Sequence, residues 1–404
     1  MRRIALVADD YTGAADAGVH ALAAAPAATI LPPGPEAAFP PRGAAIIDTE
    51  SRELPAGAAG KLVLEAFSRC RREGFDFFFK KIDSTLRGNP GAEIAAALAG
   101  TGLPAALVCP AFPDLGRACL DGNLLVEGVP VQASEFGRDP FGPVADSRVA
   151  AVLAGQTGLA AVRLPLAVVR GDPGAARREA DRLMGLGGGV LIADAQTGSD
   201  LDSLAELALG DRRLLPAGSG GLARAIFSRL GGGALPRPGP IRPPGRILAV
   251  MGSLNPAASR QIDFALASGA FLLAVVDPDP GKLEAGIGEA VRRAEGAGNQ
   301  HLILKAGPFR PGLGGTAAAG ALARAAKRLY GLGFCRTLFA AGGATSAGLC
   351  RAFAPSGIEL AGEVLPGAVA GRFRGGEGEG VHFLSKAGGF GGASLLVDLL
   401  AAIA

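Results

Sequence analysis

Residues Phe75–Gly91 read FDFFFKKIDSTLRGNPG. Four phenylalanines in the five residues Phe75–Phe79 give way at once to two lysines, an aspartate, two hydroxyls and an arginine. Aromatic and β-branched residues predict a buried strand over Phe75–Ile82. Its C-terminal end then gathers Lys80, Lys81, Asp83, Ser84, Thr85, Arg87 and Asn89. Asn89 can cap the next helix, and Pro90 suits its first turn, where a missing N–H is no loss. Parallel-sheet proteins bind ligands in the crevice outside such strand ends. Three cations with one carboxylate there point to an anionic substrate that must also be deprotonated or held by a hydroxyl.

The alternation continues outward from this stretch. Ile4–Ala8, Ala44–Ile47 and Ala105–Pro110 read as strands; Ala14–Ala25, Gly60–Arg72 and Gly91–Leu98 read as helices. That βα order calls for a mostly parallel sheet with helices on both faces. Leu124–Val131, with Glu127-Gly128 at its middle, reads as a short hairpin. Val190–Ala193 as a strand and Leu201–Ala208 as a helix resume the rhythm. Residues 231–245, GGGALPRPGPIRPPG, admit neither a helix nor a strand period and mark a linker. Beyond it come strands at Ile247–Val250, Leu272–Val276 and His301–Lys305, with helices from Pro256 and over Leu283–Arg293. A chain of 404 residues also exceeds one comfortable core. The expected fold class is α/β: two α/β domains with mostly parallel sheets, over residues 1–230 and 246–404.

Composition narrows the function classes. The chain is 49% hydrophobic, yet no apolar run reaches the eighteen residues of a membrane span. A net charge of +3 without a lysine-arginine block leaves no nucleic-acid footprint. Cysteines 70, 109, 119, 335 and 350 lack CxxC pairing, so reduced thiols and a cytoplasmic setting are expected. His20, His301 and His382 form no HExxH or cysteine-histidine pattern, and a protein-built zinc site is not expected. Closed homo-oligomers, most often dimers, are the general expectation for such a chain.

Other strand ends repeat the opening theme. In Ile4–Gly18, IALVADDYTGAADAG, Asp9 and Asp10 follow a strand and Tyr11-Thr12-Gly13 turns into a helix. Adjacent carboxylates there could hold substrate hydroxyls, accept a proton, or face Mg²⁺ through water. Arg52 follows the strand at Ala44–Ile47 and suits bidentate recognition of a carboxylate. In the second half, three glycine turns stand out. They contain Gly252-Ser253, Gly342-Gly343-Ala344-Thr345, and Lys386-Ala387-Gly388-Gly389-Phe390-Gly391. Amides bared by glycine, with an ammonium nearby, suit a triphosphate. None matches GxxxxGK[ST], so the expected nucleotide domain lies outside the P-loop class.

ADDYTGAADAG, DTESREL, FKKIDSTLRGNPG, CPAFPDLGR, DGNLLVEGVPV and SEFGRDP together resemble the four-carbon acid sugar kinases. The resemblance continues in order through GSGGLA, GSLNPAASRQ, GGATS and SKAGGFG, and so spans nearly the whole chain. It implies an acid-sugar site in a Rossmann-like N-terminal domain, formed by Asp9, Asp10, Arg52, Lys81, Asp83, Ser84 and Arg87. ATP with Mg²⁺ would be held by Gly252, Ser253, Gly342, Gly343, Thr345, Lys386, Gly388 and Gly391 in the C-terminal domain, with transfer across the interdomain cleft. Metal ligands within the chain stay unassigned.

Two positions depart from the family pattern. Ala344 stands where an aspartate is usual, with Asp277 as the candidate to replace it, and Ala387 stands where serine is usual. The expected reaction is transfer of phosphate from ATP to the C4 hydroxyl of a threonate, erythronate or 3-oxo-tetronate. Arg52, with Lys81 or Arg87, would clamp the substrate carboxylate. Asp83 is the favoured proton acceptor, because Lys80, Lys81 and Arg87 would keep it charged; Asp10 is its rival. The competing readings are a non-catalytic acid-sugar sensor and a nicotinamide-dependent oxidoreductase, the latter lacking GxGxxG.

Overall fold

A strand covered by helices on both faces must be apolar along its whole length. The computed structural model, which describes residues 2–34, 37–139, 142–232, 245–253, 255–307 and 315–403, is built on such strands. It divides into two units, Met1–Leu235 and Pro236–Ala404. Most of the expected linker, residues 233–244, lies outside the described residues.

The N-terminal unit begins with β1 (Ile4–Ala8), α1 (Tyr11–Gly18), β2 (Ala28–Leu31), β3 (Ala44–Asp48), α2 (Ala56–Arg72), β4 (Phe77–Lys81), α3 (Pro90–Thr101) and β5 (Ala105–Cys109). An antiparallel insert follows: β6 (Arg117–Leu120), β7 (Asn123–Val126) and β8 (Val129–Pro130). Then come α4 (Val149–Ala154), β9 (Ala161–Leu164), α5 (Leu166–Val169), α6 (Pro173–Gly185), β10 (Gly189–Ala193), α7 (Gly198–Gly210), β11 (Leu214–Gly218) and α8 (Gly220–Gly231). Strands pair in the order β2-β3-β1-β4-β11-β5-β10-β9, parallel throughout. The chain leaves β1 for β2 and β3 on one side and crosses to β4 on the other. That reversal opens a crevice at the C-terminal ends of these three strands.

Every residue of β1, β3, β5, β10 and β11 is buried. Phe67 of α2, Phe79 of β4 and Phe227 of α8 are fully buried, with the last two rings 5.8 Å apart. Burial of each such side chain contributes about 1.5–3 kcal/mol. The fold bears out the expected α/β class. The helix expected over Ala14–Ala25 ends instead at Gly18, a 3₁₀ turn fills Val19–Ala23, and β2 follows. Pro26, just beyond that turn, has no N–H to continue a helix.

Two readings of the opening stretch are corrected. Neighbouring strand side chains point to opposite faces, so Lys80 and Lys81 part company. Lys80 Nζ is fully buried, 2.8 Å from Glu93 Oε2 of α3, and donates to the Lys81 carbonyl. The expected three-cation cluster therefore loses Lys80. Asn89 occupies the N-cap position of α3 without a capping side-chain bond; its Nδ2 donates to the Leu54 carbonyl at 2.8 Å and ties down the loop after β3.

The C-terminal unit comprises β12 (Arg246–Met251), α9 (Pro256–Ala267), β13 (Phe271–Val276), α10 (Pro280–Glu295), β14 (His301–Ala306), α11 (Gly315–Gly331), β15 (Cys335–Ala341), α12 (Gly343–Phe353), β16 (Gly357–Leu365), β17 (Ala368–Arg374), β18 (His382–Lys386) and α13 (Leu395–Ile403). Its order is β13-β14-β12-β15-β18-β17-β16, with the last two strands antiparallel to their neighbours. Among the described residues no helix is long and apolar enough to cross a membrane, and all five cysteines are free thiols.

The Lys80–Glu93 pair couples β4 to α3 beneath the crevice, and Glu93 Oε1 also accepts a 2.6 Å bond from Ser51 Oγ. Removing one member of a buried pair strands the other. Glu93→Ala should destabilise the N-terminal unit by about 3–5 kcal/mol. Urea unfolding followed by circular dichroism checks this, and a paired Lys80→Met/Glu93→Leu variant should recover much of the loss.

Candidate functional site

The crevice at β1, β3 and β4 is organised around Arg52. Its Nε and Nη2 donate to Asp9 at 2.7 and 3.0 Å; Nη1 and Nη2 donate to Asp10 at 2.8 and 2.7 Å. Nη2 also lies 3.6 Å from Asp83 Oδ1. Burial disfavours the guanidinium charge, but Asp10, Asp9 and Asp83 together hold its pKa well above the usual value. Burial likewise pushes Asp9 up, and Arg52, with Lys80 and Lys81 behind it, outweighs that effect and leaves the carboxyl below its normal range. Gly88 closes the loop over this cluster at φ +84°, where a Cβ would stand 3.2 Å from Arg52 Cγ and 3.4 Å from Asp9 Oδ2.

Asp83 sits in a second cluster. Arg87 Nε and Nη2 grip both of its oxygens at 3.0 Å; Oδ2 also accepts from the Thr85 hydroxyl and amide. Burial raises this carboxyl, but Arg87 and Arg52 hold it well below the usual range. The cations that keep Asp83 charged are thus Arg87 and Arg52, rather than the expected lysine pair. Asp10 caps α1 through Gly13 N at 2.9 Å and accepts from Thr12 Oγ1 at 2.6 Å. Its side chain is 16% exposed, against 3% for Asp9 and 9% for Asp83, so it is the most open of these three carboxylates.

Lys81 lies beside Asp10: a Cβ on Gly13 would be 2.7 Å from Asp10 Oδ1 and 3.1 Å from Lys81 Nζ. Lys81 is buried, donates to the Ile82 carbonyl at 3.0 Å, and has no carboxylate within ion-pair distance among the described residues. Ser84 is half-buried at the turn after Asp83. The structure therefore brings all seven expected substrate-side residues to three adjacent strand ends. The arginine clamp changes character, because Arg52 and Arg87 are already bound by carboxylates of the chain.

Two residues here were not singled out by the sequence pattern. Asp48 ends β3 and is buried; burial pushes its carboxyl well above the usual range against one hydrogen bond from Glu50 N, and nearby Asp10, Glu50 and Asp9 push the same way. An all-apolar strand ending in aspartate was the available signal. Arg117, at the start of β6, reaches the Asp83–Arg87 cluster from the insert. Nothing local in the sequence announces that reach.

In the C-terminal unit, β12, β15 and β18 are adjacent, and their C-terminal turns converge. A Cβ on Gly388 would stand 2.5 Å from Ser253 Oγ; one on Gly342 would be 3.8 Å from Ser253 Cβ and 4.0 Å from Gly388 Cα. A Cβ on Gly252 would clash with the buried Thr345 hydroxyl. Gly343 opens α12, whose first turn carries no acid. Lys386, buried at the end of β18, donates to the carbonyls of Ala387 and Gly388 at 3.0 Å. Gly391 stands apart, packed on Leu395, with its carbonyl bound by Gln261 Nε2. Asp277 cannot replace the carboxylate missing at Ala344. It follows β13, three strands from β15, roughly 14 Å at the usual strand spacing. Helix N-terminal amides, close glycine backbones and a lone ammonium fit the phosphates of a nucleotide.

Residues 4–226 match a sugar-binding N-terminal domain, and residues 248–396 match a nucleotide-binding C-terminal domain. The chain is 30% identical to a D-threonate kinase of Salmonella typhimurium, over 98% of this chain and 97% of the relative. It is 33% identical to a D-threonate kinase of Bordetella bronchiseptica, over 99% and 97%. A 3-oxo-tetronate kinase of Methylobacterium radiotolerans is 33% identical over 98% of both chains. A solved structure from Haemophilus influenzae, 20% identical, shares the fold with a TM-score of 0.74 over 99% of this chain and 100% of that one.

Lys386 gives these convergent turns a pH signature. Burial lowers its ammonium from 10.5 to about 8. Below that value it carries the charge a phosphate needs, and above it the charge is lost. ADP affinity measured by calorimetry should weaken about tenfold between pH 7 and pH 9. Lys386→Met should bind ADP more weakly at neutral pH and with a nearly flat profile over the same interval.

Proposed function

The chain belongs to the four-carbon acid sugar kinase family, and we propose that it phosphorylates a four-carbon aldonic acid, or its 3-oxo form, on the terminal C4 hydroxyl. The observation that carries this reading is the arrangement at the ends of β1, β3 and β4. Asp9, Asp10 and Asp83 are balanced there against Arg52, Arg87 and the ammonium of Lys81. Carboxylates suit sugar hydroxyls, and a desolvated ammonium suits the oxygens of a transferring phosphoryl group.

In the proposed reaction the C4 oxygen bonds to the γ-phosphorus of ATP, and the bond from that phosphorus to the β,γ-bridging oxygen breaks, releasing ADP. The hydroxyl proton passes to Asp10. Asp10 is preferred over Asp83 because it is the more exposed of the two. Asp83 is gripped by Arg87 and Thr85 and held well below the usual carboxylate range, which makes it a poor proton acceptor. Lys81, with two ammonium protons left after its bond to Ile82, would meet the incoming phosphoryl oxygens. Lys386 and the turns at Gly252, Gly342 and Gly388 would hold the nucleotide phosphates. Among the described residues no group of three His, Cys, Asp or Glu is arranged around a metal. Mg²⁺ would therefore come with the nucleotide, held chiefly by phosphate oxygens, and neutralise their charge.

A coupled assay with ATP, Mg²⁺ and D-threonate, L-threonate, D-erythronate or 3-oxo-tetronates should release ADP with at least one acid. Silence across that panel would remove the substrate class. With the best acid, Asp10→Asn should lose ~10²–10⁴-fold in kcat while keeping ADP affinity. Asp83→Asn should instead act through the Arg87 it anchors, raising KM and lowering the unfolding midpoint. If Asp83→Asn is folded, binds the acid normally and is inert, while Asp10→Asn keeps kcat within about threefold, Asp83 is the base.

A further inference from the structure

Arginine side chains meet the substrate crevice from three directions, and two of them are spoken for. Arg52 is divided among Asp9, Asp10 and Asp83, and Arg87 is gripped by Asp83 with Asp139 at 3.8 Å. Arg117 is different. Its Nη1 donates to the Leu115 carbonyl at 2.7 Å, while its buried Nε has no hydrogen-bond partner. Among the described residues no carboxylate oxygen lies within ion-pair distance of its guanidinium. Its position is fixed nonetheless. Phe112 and Arg117 form a backbone bridge, and the guanidinium lies over the Phe136 ring at 5.7 Å from the centroid. Arg87 shares that ring at 5.4 Å.

We infer that Arg117 binds the carboxylate of the acid sugar, with Phe136 as the platform that presents its free edge. The inference rests on the kinase reading for its ligand and names which residue makes the enzyme select acids. Half-buried charge without a counterion is costly unless an anion arrives to meet it. Burial, with the neighbouring Arg87, lowers the pKa of Arg117 against the pull of Asp83, Glu135 and Glu127, none of which lies within ion-pair distance, so the guanidinium lacks a paired negative charge. A carboxylate supplies it, and the planar fork of arginine matches two carboxylate oxygens where a lysine offers only a point charge. Lys81, the other ammonium without a carboxylate, lies beside Asp10 and is left for the phosphoryl group. The carboxylate end and the reacting end of the substrate are then recognised by different cations.

The test compares wild type with Arg117→Ala, Arg117→Gln and Arg117→Lys, using full-length protein. Calorimetry measures binding of D-threonate, D-erythronate and ADP, and ADP release is assayed with the four-carbon acids and with the neutral tetritols threitol and erythritol. We expect Kd and KM for the acid to rise on the order of a hundredfold in Arg117→Ala, far more than kcat falls. Arg117→Gln should behave alike, and Arg117→Lys should recover only part of the loss. ADP affinity should stay as in wild type. The wild-type preference for acid over tetritol should collapse in the alanine variant, which a merely structural arginine would not produce. Wild-type acid affinity in a folded Arg117→Ala or Arg117→Gln variant, or equal losses for acid and tetritol, would overturn the inference and leave the kinase reading intact. Wild-type protein that binds acids through Arg117 yet releases no ADP would do the reverse. A wild type that neither binds nor turns over any of the acids removes both.

Discussion

One guanidinium shared by three carboxylates sets the geometry of the N-terminal crevice. Asp9 and Asp10 come from the turn after β1, Asp83 from the turn after β4, and Arg52 from the turn after β3. Each loop alone would place like charges or a bare arginine at a desolvated strand end, which is unfavourable. Together they neutralise one another, and the three loops can approach closely enough to need Gly88 between them. The buried Lys80–Glu93 pair repeats the device one layer below, tying β4 to α3 and, through Ser51, to the loop that carries Arg52. The sheet order brings the loops into range, and charge pairing holds them there.

That balance has a consequence for recognition. Asp9, Asp10 and Asp83 stand against Arg52, Arg87 and Lys81, so the inner cluster is close to neutral and has no surplus cation for an anionic substrate. Any additional negative charge must be met from outside the cluster. The insert of β6 to β8 brings Arg117, which has no ion-pair partner among the described residues, to the edge of that cluster over the Phe136 ring it shares with Arg87.

Much of this was legible in the sequence, and the failures have physical causes. Abrupt changes from apolar run to charged cluster located all three strand ends of the crevice. The parting of Lys80 and Lys81 followed from strand alternation alone, which a reading of FFFKK by composition overlooks. The antiparallel hairpin of β16 and β17 also had a signal, Pro366-Gly367 between two apolar stretches, with Gly367 at φ +72°. Arg117 was different. It closes the quoted CPAFPDLGR stretch, yet nothing in that stretch shows that the insert folds back beside a site more than thirty residues earlier. The same holds for Arg52: its residue type suited a ligand clamp, but its partners are carboxylates of the chain, which only the tertiary arrangement reveals.

The turns of the C-terminal unit combine bare backbone with the ammonium of Lys386, and this bears on the alanine at position 344. The turns after β12, β15 and β18 meet through glycines, with Gly342 at φ +102° leading into α12. Ala344 is exposed in the first turn of that helix, where the usual aspartate would place a negative charge at the positive end of the helix dipole. Its absence leaves those amides uncompensated by any acid of the first turn. An incoming phosphate therefore meets a less screened helix terminus. Asp277 stands too far along the sheet to supply a carboxylate at this point. With no acid in the first turn of α12, the backbone amides of these closely approaching glycine turns and Lys386 are what remain there to meet an anion.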